Sequence, residues 1–407
     1  MSSRIGVPNL AGWREERLVD LCELISRGTA PVYVDESPVL AIGQRCIRET
    51  GFDANSARPH SHKVKNVLKA KHGDVLLNST GTGTIGRSCI FNEDREYMVD
   101  GHVTVLRADR SKVDPRWIEA MLRSRWGQQH LESHCFTGST NQVELSRSDL
   151  LKTSVPAPGL DEQRRIVEIL DAVEARIDLA SVEHGKVKAC AEALAQSLIP
   201  VDPDPRVLGD GWDLLALSEV VPSVEYGISS SLELGVEGIP TLRMNNLEGG
   251  KMRLHEVKAS VEAVPLDLLL RDRDVLFNRT NSLEHVGRTS LWRSEIPVAT
   301  FASYLVRLNS DHRRLCPEYL VRWLNRPAVQ QRIRRFATPG VHQVNINPTS
   351  LRRTLIELPI DVRRQQQIVA ELDSIDALAS SLQSEHRRLL EFKQGLMEDL
   401  LSGRVRV

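Results

Sequence analysis

A chain of 407 residues is too long for one ordinary core and requires two or three domains. Its 53 Lys and Arg against 54 Asp and Glu give a formal net charge of −1. That excludes a strongly basic stand-alone nucleic-acid binder but leaves room for a basic face within a neutral total. Six cysteines without a Cys-x-x-Cys pair fit reduced thiols. The opening Met1-Ser2-Ser3-Arg4-Ile5-Gly6 lacks a charged-then-apolar leader, and no apolar run reaches membrane-spanning length. These features predict a soluble cytoplasmic protein with no membrane partner.

Residues 1–160 are predicted to form a mixed α/β globule. Short β-branched or apolar runs at 74–78, 89–91 and 102–106 are bounded by Gly, Asn and charged residues, as strands are. Pro115 then opens a helical pattern through Ile118, Met121, Leu122 and Trp126, with proline at its permitted first position. Between the first two strands lies Gly81-Thr82-Gly83-Thr84-Ile85-Gly86-Arg87-Ser88, one residue away from a phosphate-cradling P-loop. A P-loop must open a helix, whereas Ser88-Cys89-Ile90-Phe91 looks like another strand. His130, His134 and Cys135, with His60 and His62, have spacings open to metal ligation, although scattered surface histidines are the commoner meaning.

Val155-Pro156-Ala157-Pro158-Gly159 cannot continue as helix, and Asp161 with Glu162 suits a helix start. Residues 161–199 then carry a stripe at alternating steps of four and three: Ile166, Leu170, Val173, Ile177, Ala180, His184, Val187, Ala191, Leu194 and Leu198. That is the narrow seam of a coiled coil on a helix roughly 60 Å long. Pro200, Pro203 and Pro205 are expected to end it.

The chain then repeats itself at an offset near two hundred. Residues 200–360 form a second globule and 361–407 a second long helix. Gly12-Trp13 is answered by Gly211-Trp212, and the 74–80 segment by Asp274-Val275-Leu276-Phe277-Asn278-Arg279-Thr280. Gly86-Arg87-Ser88 is answered by Gly287-Arg288-Thr289, and the helix at Pro115 by one at Pro317 that Pro327 breaks. The second stripe runs Ile368, Leu372, Ile375, Ala379, Leu382, His386, Leu389, Lys393, Leu396 and Leu400, with Gly403 placed for a left-handed cap. His184 and His386 fall at the same step, so both stripes descend from one. Neither helix is apolar all round, and each is expected to bury the other. The predicted fold class is α+β: two similar globules separated by two long antiparallel coiled-coil helices, with pseudo-two-fold symmetry.

No Ser/His/Asp, Cys/His or acidic-cluster set can be argued from spacing. Asn347-Pro348-Thr349-Ser350, which hints at an adenine-methyltransferase motif, lacks the second proline and the aromatic and is taken as a turn. Recognition chemistry remains. Asn78, Ser79, Thr80 and Arg87 cluster about one strand–loop–strand; Asn278, Arg279, Thr280, Asn281 and Arg288 occupy the matching place. Arg243, Asn245 and Asn246 form a further set opposite Gln44 and Arg45. Arg pairs with guanine edges and Asn or Gln with adenine edges, while Ser and Thr suit phosphates. Equally, Asn and Thr end strands, and Arg is an ordinary surface charge. Lys63, Lys65, Lys69, Lys71, Arg332, Arg334 and Arg335 suit phosphate contacts. Three function classes stay open: a DNA-reading protein, a P-loop-like nucleotide-binding enzyme centred on Arg87, and a coiled-coil scaffold without a DNA role.

Gly73-Asp74-Val75-Leu76-Leu77 followed by Gly83-Thr84-Ile85-Gly86-Arg87 resembles the strand-and-loop signature of target recognition domains in type I restriction–modification specificity subunits. Val155 through Ile166 resembles that family's lead-in to its central helix, and Lys393-Gln394-Gly395-Leu396-Met397-Glu398-Asp399-Leu400-Leu401-Ser402-Gly403-Arg404-Val405 its C-terminal ending. The second half departs: Asp361-Val362-Arg363-Arg364-Gln365-Gln366-Gln367 lacks the Pro-Leu-x-Glu-Gln pattern, and its loop lacks Gly-Thr-Ile-Gly. The resemblance implies a non-catalytic subunit whose two target recognition domains each read half of a bipartite site in double-stranded DNA. It implies a paired-helix spacer that presents two methyltransferase subunits, with restriction subunits joining in some systems. S-adenosylmethionine, ATP and Mg2+ then belong to those partners, and none to this chain.

Overall fold

The computed structural model describes residues 3–138, 142–201, 208–340 and 343–407. Pro203 and Pro205, expected to end the first long helix, lie outside the described residues. The chain divides into two compact units, 1–181 with 384–407, and 182–383. Each unit holds one globule and part of each long helix.

The first unit is built on a four-stranded antiparallel sheet in the order Cys22–Arg27, Val103–Ala108, Val75–Asn78, Ser88–Ile90. The second repeats it with Ser223–Tyr226, Leu305–Asn309, Val275–Asn278 and Thr289–Leu291. Even the register returns, with Asn78 opposite Val103 and Asn278 opposite Leu305. The unbroken apolar strand Val75-Leu76-Leu77 is explained by two cores. Val75 and Leu77 face one and Leu76 the other, so neither face meets water. Val275, Phe277 and Leu276 divide in the same way.

The helix at Pro115 is capped by the Asp114 carboxylate, which accepts from the Arg116 N–H. It stops at Arg123, short of the expected Trp126. Ser124 accepts from the Gly127 N–H and starts a separate helix, Arg125–His130. In the second unit Pro317–Leu324 and Pro327–Arg334 are likewise separate, as the proline dictates. Asn347-Pro348 opens a one-turn helix rather than a turn, with the Asn347 side chain as its cap.

The long helices span Leu160–Leu198 and Val362–Leu401. Every position of both predicted stripes is buried or half-buried, including His184, His386, Val173, Ile375, Leu382 and Leu389. In the first unit Ile166, Val167 and Leu170 share a core with Leu396, Leu400 and Leu401. In the second, Ile368, Val369 and Leu372 share one with Leu194, Leu198 and Ile199. In each unit the beginning of one helix therefore lies against the end of the other, an antiparallel arrangement. Each fully buried Leu or Ile contributes about 1.5–3 kcal/mol. Ion pairs of Glu162 with Arg406 (2.9 Å), Glu174 with Lys393, and Arg176 with Glu385 flank the first-unit seam. Gly403 closes the second helix at φ +69°, and a Cβ there would stand 2.4 Å from the Ala11 Cβ.

One buried glutamine per unit locks globule to helix. Gln163 accepts from the Asp114 N–H (2.9 Å) and donates to the Pro158 carbonyl (2.8 Å). Gln365 accepts from the Cys316 N–H (2.8 Å) and donates to the Pro359 (2.8 Å) and Arg314 (2.9 Å) carbonyls. Both are fully buried. The second helix start thus keeps the one residue of the pattern that carries geometry. Glu119, on the Pro115 helix, is 9 % exposed, 3.4 Å from the Arg123 guanidinium and near Lys393. Burial pushes its carboxyl up to about 7. Burial, with Arg123 alongside, lowers the Lys393 ammonium to about 8.

Gln163→Leu and Gln365→Leu each orphan a buried N–H and at least one carbonyl. Each is expected to lower stability by about 1–3 kcal/mol, read by urea unfolding, with faster hydrogen exchange confined to its own unit. Glu119 holds a proton when folded that the unfolded chain has released, so between pH 4.5 and about 7 its contribution falls as pH rises. Glu119→Gln should therefore gain stability relative to wild type across that window, by at most about 3 kcal/mol. A difference independent of pH would contradict the assignment.

Candidate nucleic-acid interface

Both units fold one loop in one way. Val75–Asn78 ends at Asn78, whose carbonyl accepts from the Gly86 N–H and whose N–H donates to the Arg87 carbonyl. Asn278 does the same with Gly287 and Arg288. The asparagine amide then holds the loop from inside. Asn78 donates to the Gln44 (3.2 Å) and Thr84 (3.1 Å) carbonyls, and Asn278 to the His285 carbonyl (3.3 Å). Gly86 and Gly287 sit at φ +83° and +90°, where glycine carries no side-chain penalty. Gln128 and Gln330 each donate to that glycine's carbonyl (3.0 and 2.9 Å). The second loop has dispensed with Gly-Thr-Ile but kept the glycine the geometry demands.

This placement corrects four of the proposed contacts. Asn78, Ser79, Asn246 and Asn278 are at most 1 % exposed and bonded internally, so they shape the loops rather than present themselves. Ser79 shares a 2.6 Å hydrogen bond with Thr104, and Asn246 accepts from the Arg243 N–H and donates to the Arg253 carbonyl. The pairing of Gln44 and Arg45 with Arg243 also shifts. The matching turns are Gln44–Cys46 and Met244–Asn246, which set Met244 opposite Gln44 and Asn245 opposite Arg45. Lys69 pairs with Glu96, Arg332 with Glu357, and Arg334 donates to the Glu284 carbonyl, so these three are engaged within their own units.

The remaining candidates are partly or fully exposed. Arg45, Lys63, Lys65 and Asn245 are exposed. Thr80 shares a 2.8 Å hydrogen bond with His102, and Arg87 lies 3.6 Å from the Glu49 carboxylate. The half-buried Gln44 carboxamide lies over Gly81, where a Cβ would stand 2.2 Å from its Oε1. Arg243 donates to the Glu256 carbonyl (3.1 Å). Thr280 and Asn281 form a two-residue strand against Asn345 and Val344. Arg288 is half-buried with no ion pair among the described residues.

Strand pairing adds residues that linear spacing missed. Arg27 and Tyr226 end the matching edge strands, His102 and Tyr304 supply the carbonyls that accept from Ser79 and Arg279, and Glu144 and Asn345 face Thr80 and Thr280. Their only sequence signal was the two-hundred-residue offset applied beyond the conserved-looking motifs.

The glycine loop leads into the strand Ser88–Ile90, so no helix N-terminus faces it and the P-loop geometry is missing. The His130 ring contacts Thr153 (3.1 Å) and stacks on His134 (4.8 Å), and Cys135 lies 3.6 Å from the same hydroxyl. Buried His60 accepts from the Val32 N–H (3.0 Å). Among the described residues no three His, Cys, Asp or Glu gather as a metal site, and no helix is long and apolar enough to cross a membrane.

Residues 11–188 match the family described as the type I restriction modification DNA specificity domain. The chain is 21 % identical to the type I restriction enzyme EcoBI specificity subunit of Escherichia coli over 65 % of its own length, and spans 60 % of that relative. It is 21 % identical to the putative MjaX specificity subunit of Methanocaldococcus jannaschii, covering 97 % of this chain and 94 % of the other. Its fold matches a chain solved in work on complex assembly and conformational transition of the type I R-M system, at TM-score 0.60 and 20 % identity, covering 98 % and 99 % of the two chains. The duplicated globule, the recurrent loop and the paired helices agree with these similarities to type I restriction–modification specificity subunits.

Proposed function

We propose that each unit reads one half of a bipartite site in double-stranded DNA through the surface around its Asn78 or Asn278 loop. The observation that carries this is the repetition of one buried scaffold under two different sets of partly exposed side chains. Two readers of unlike sequence need a shared frame and divergent contacts. Arg45, Thr80 and Arg87 serve the first reader, with Gln44 packed behind them. Asn245, Arg279, Thr280, Asn281 and Arg288 serve the second, with Arg243 steadying its turn. Lys63 and Lys65 meet phosphates.

In this reading the long helices fix the gap between half-sites and carry two methyltransferase subunits on their outer faces. Those partners bring S-adenosylmethionine, and restriction subunits, where present, bring ATP and Mg2+. This chain supplies recognition and no catalytic group, and it works in the cytoplasm beside the chromosome. Its near-neutral charge fits a subunit that shares the phosphate grip with its partners.

The test is reconstitution with the cognate modification subunit. Alone, the chain should bind DNA weakly and lose affinity steeply with salt; with the partner it should direct adenine methylation at a two-part site. Inserting four or seven residues into both long helices should change the tolerated gap and leave both half-sites intact. Methylation by the chain alone, or altered half-sites after insertion, would contradict the proposal.

A further inference from the structure

The two proposed reading surfaces differ at the step occupied by Ser79 in the first unit and Arg279 in the second. The Arg279 guanidinium lies 5.2 Å from the centroid of the Tyr226 ring, within cation–π range. Its Nε is buried without a hydrogen-bond partner, and its backbone N–H donates to the Tyr304 carbonyl (3.0 Å). Tyr226 and Tyr304 are 48 % and 47 % exposed. An arginine with no ion pair among the described residues thus sits on a partly exposed aromatic surface.

The first unit cancels the same chemistry. Arg27, at the position of Tyr226, is paired with Glu144 (2.9 Å) and donates to the Gly101 carbonyl. In the second unit Asn345 replaces Glu144, so the neighbouring strand offers no carboxylate to neutralise Arg279. The cation is therefore held in position and left uncompensated. A guanidinium stacked on a ring keeps its planar fork of donors free at the edge, and such a fork matches the O6 and N7 acceptors of guanine.

We propose that Arg279 reads a guanine in the half-site of the second unit, and that Tyr226 is the positioning residue that holds its fork extended. The inference rests on the reading of this surface as a DNA interface. The first unit, whose equivalent residues are the buried Ser79 and the ion-paired Arg27, makes no matching contact.

The experiment uses the full chain assembled with its modification subunit and a DNA library randomised across both half-sites, scored by methylation of each sequence. Arg279→Ala should lower discrimination at one guanine by about ten- to a hundredfold and leave the other half-site unchanged. Arg279→Lys, which keeps the charge and is expected to keep the fold, should not restore it. Tyr226→Phe should match wild type, and Tyr226→Ala should relax the same guanine. An even loss across all sequences, or rescue by lysine, makes Arg279 a phosphate contact and overturns the proposal. An unchanged profile in Tyr226→Ala removes the positioning role. A wild-type complex that shows no two-part site fails the underlying reading instead, which the wild-type arm reports separately.

Discussion

A pair of buried glutamines makes each globule and its stretch of long helix one body. Gln163 and Gln365 each satisfy a backbone N–H at the start of a globule helix and a carbonyl just before a long helix. A carboxamide has one acceptor and two donor hydrogens, so a single side chain fixes two backbone segments against each other. Because both glutamines are sealed from water, releasing either bond leaves a polar group without a partner. The Asn78 or Asn278 loop of a unit cannot then turn freely on its own helix. The spacer role proposed for the long helices depends on that condition.

Much of this was legible from residues alone, for definable reasons. The long helices announced themselves because a four–three stripe sustained over more than three heptads has few other meanings. Proline and glycine marked their ends: the first helix spans Leu160–Leu198 against an expected 161–199, and the second stops at Leu401, before Gly403, rather than running to 407. The strand at 75–78 was legible because a short apolar run between Asp74 and Asn78 suits a strand buried on both faces. The break at Ser124 was not, since the apolar spacing runs through it. The two helices are divided at Ser124, whose hydroxyl caps the Gly127 N–H and donates to the Met121 carbonyl.

The position of the two loops was legible, but the direction in which their side chains turn was not. Polar residues at a strand end mark a loop, but they do not reveal whether the side chain turns in or out. Asn78, Ser79, Asn246 and Asn278 turn in, because a tight loop has carbonyls and amides that need partners where water cannot reach. The residues gathered beside them, Arg27, His102 and Glu144 in one unit and Tyr226, Tyr304 and Asn345 in the other, come from strands far apart in sequence. The register of the sheet brings them together. The frame is therefore set by buried amides common to both units, and the differences lie in the partly exposed side chains around it. Such an arrangement would let one fold carry the two specificities proposed for it.

The central claim is that two copies of one scaffold read two different short sequences. Mapping every methylated adenine in the genome of cells carrying this chain and its modification subunit tests it most directly. The account predicts one asymmetric motif of two specified segments separated by a gap of fixed length and unspecified sequence. A single contiguous motif, or methylation that ignores sequence, would contradict it.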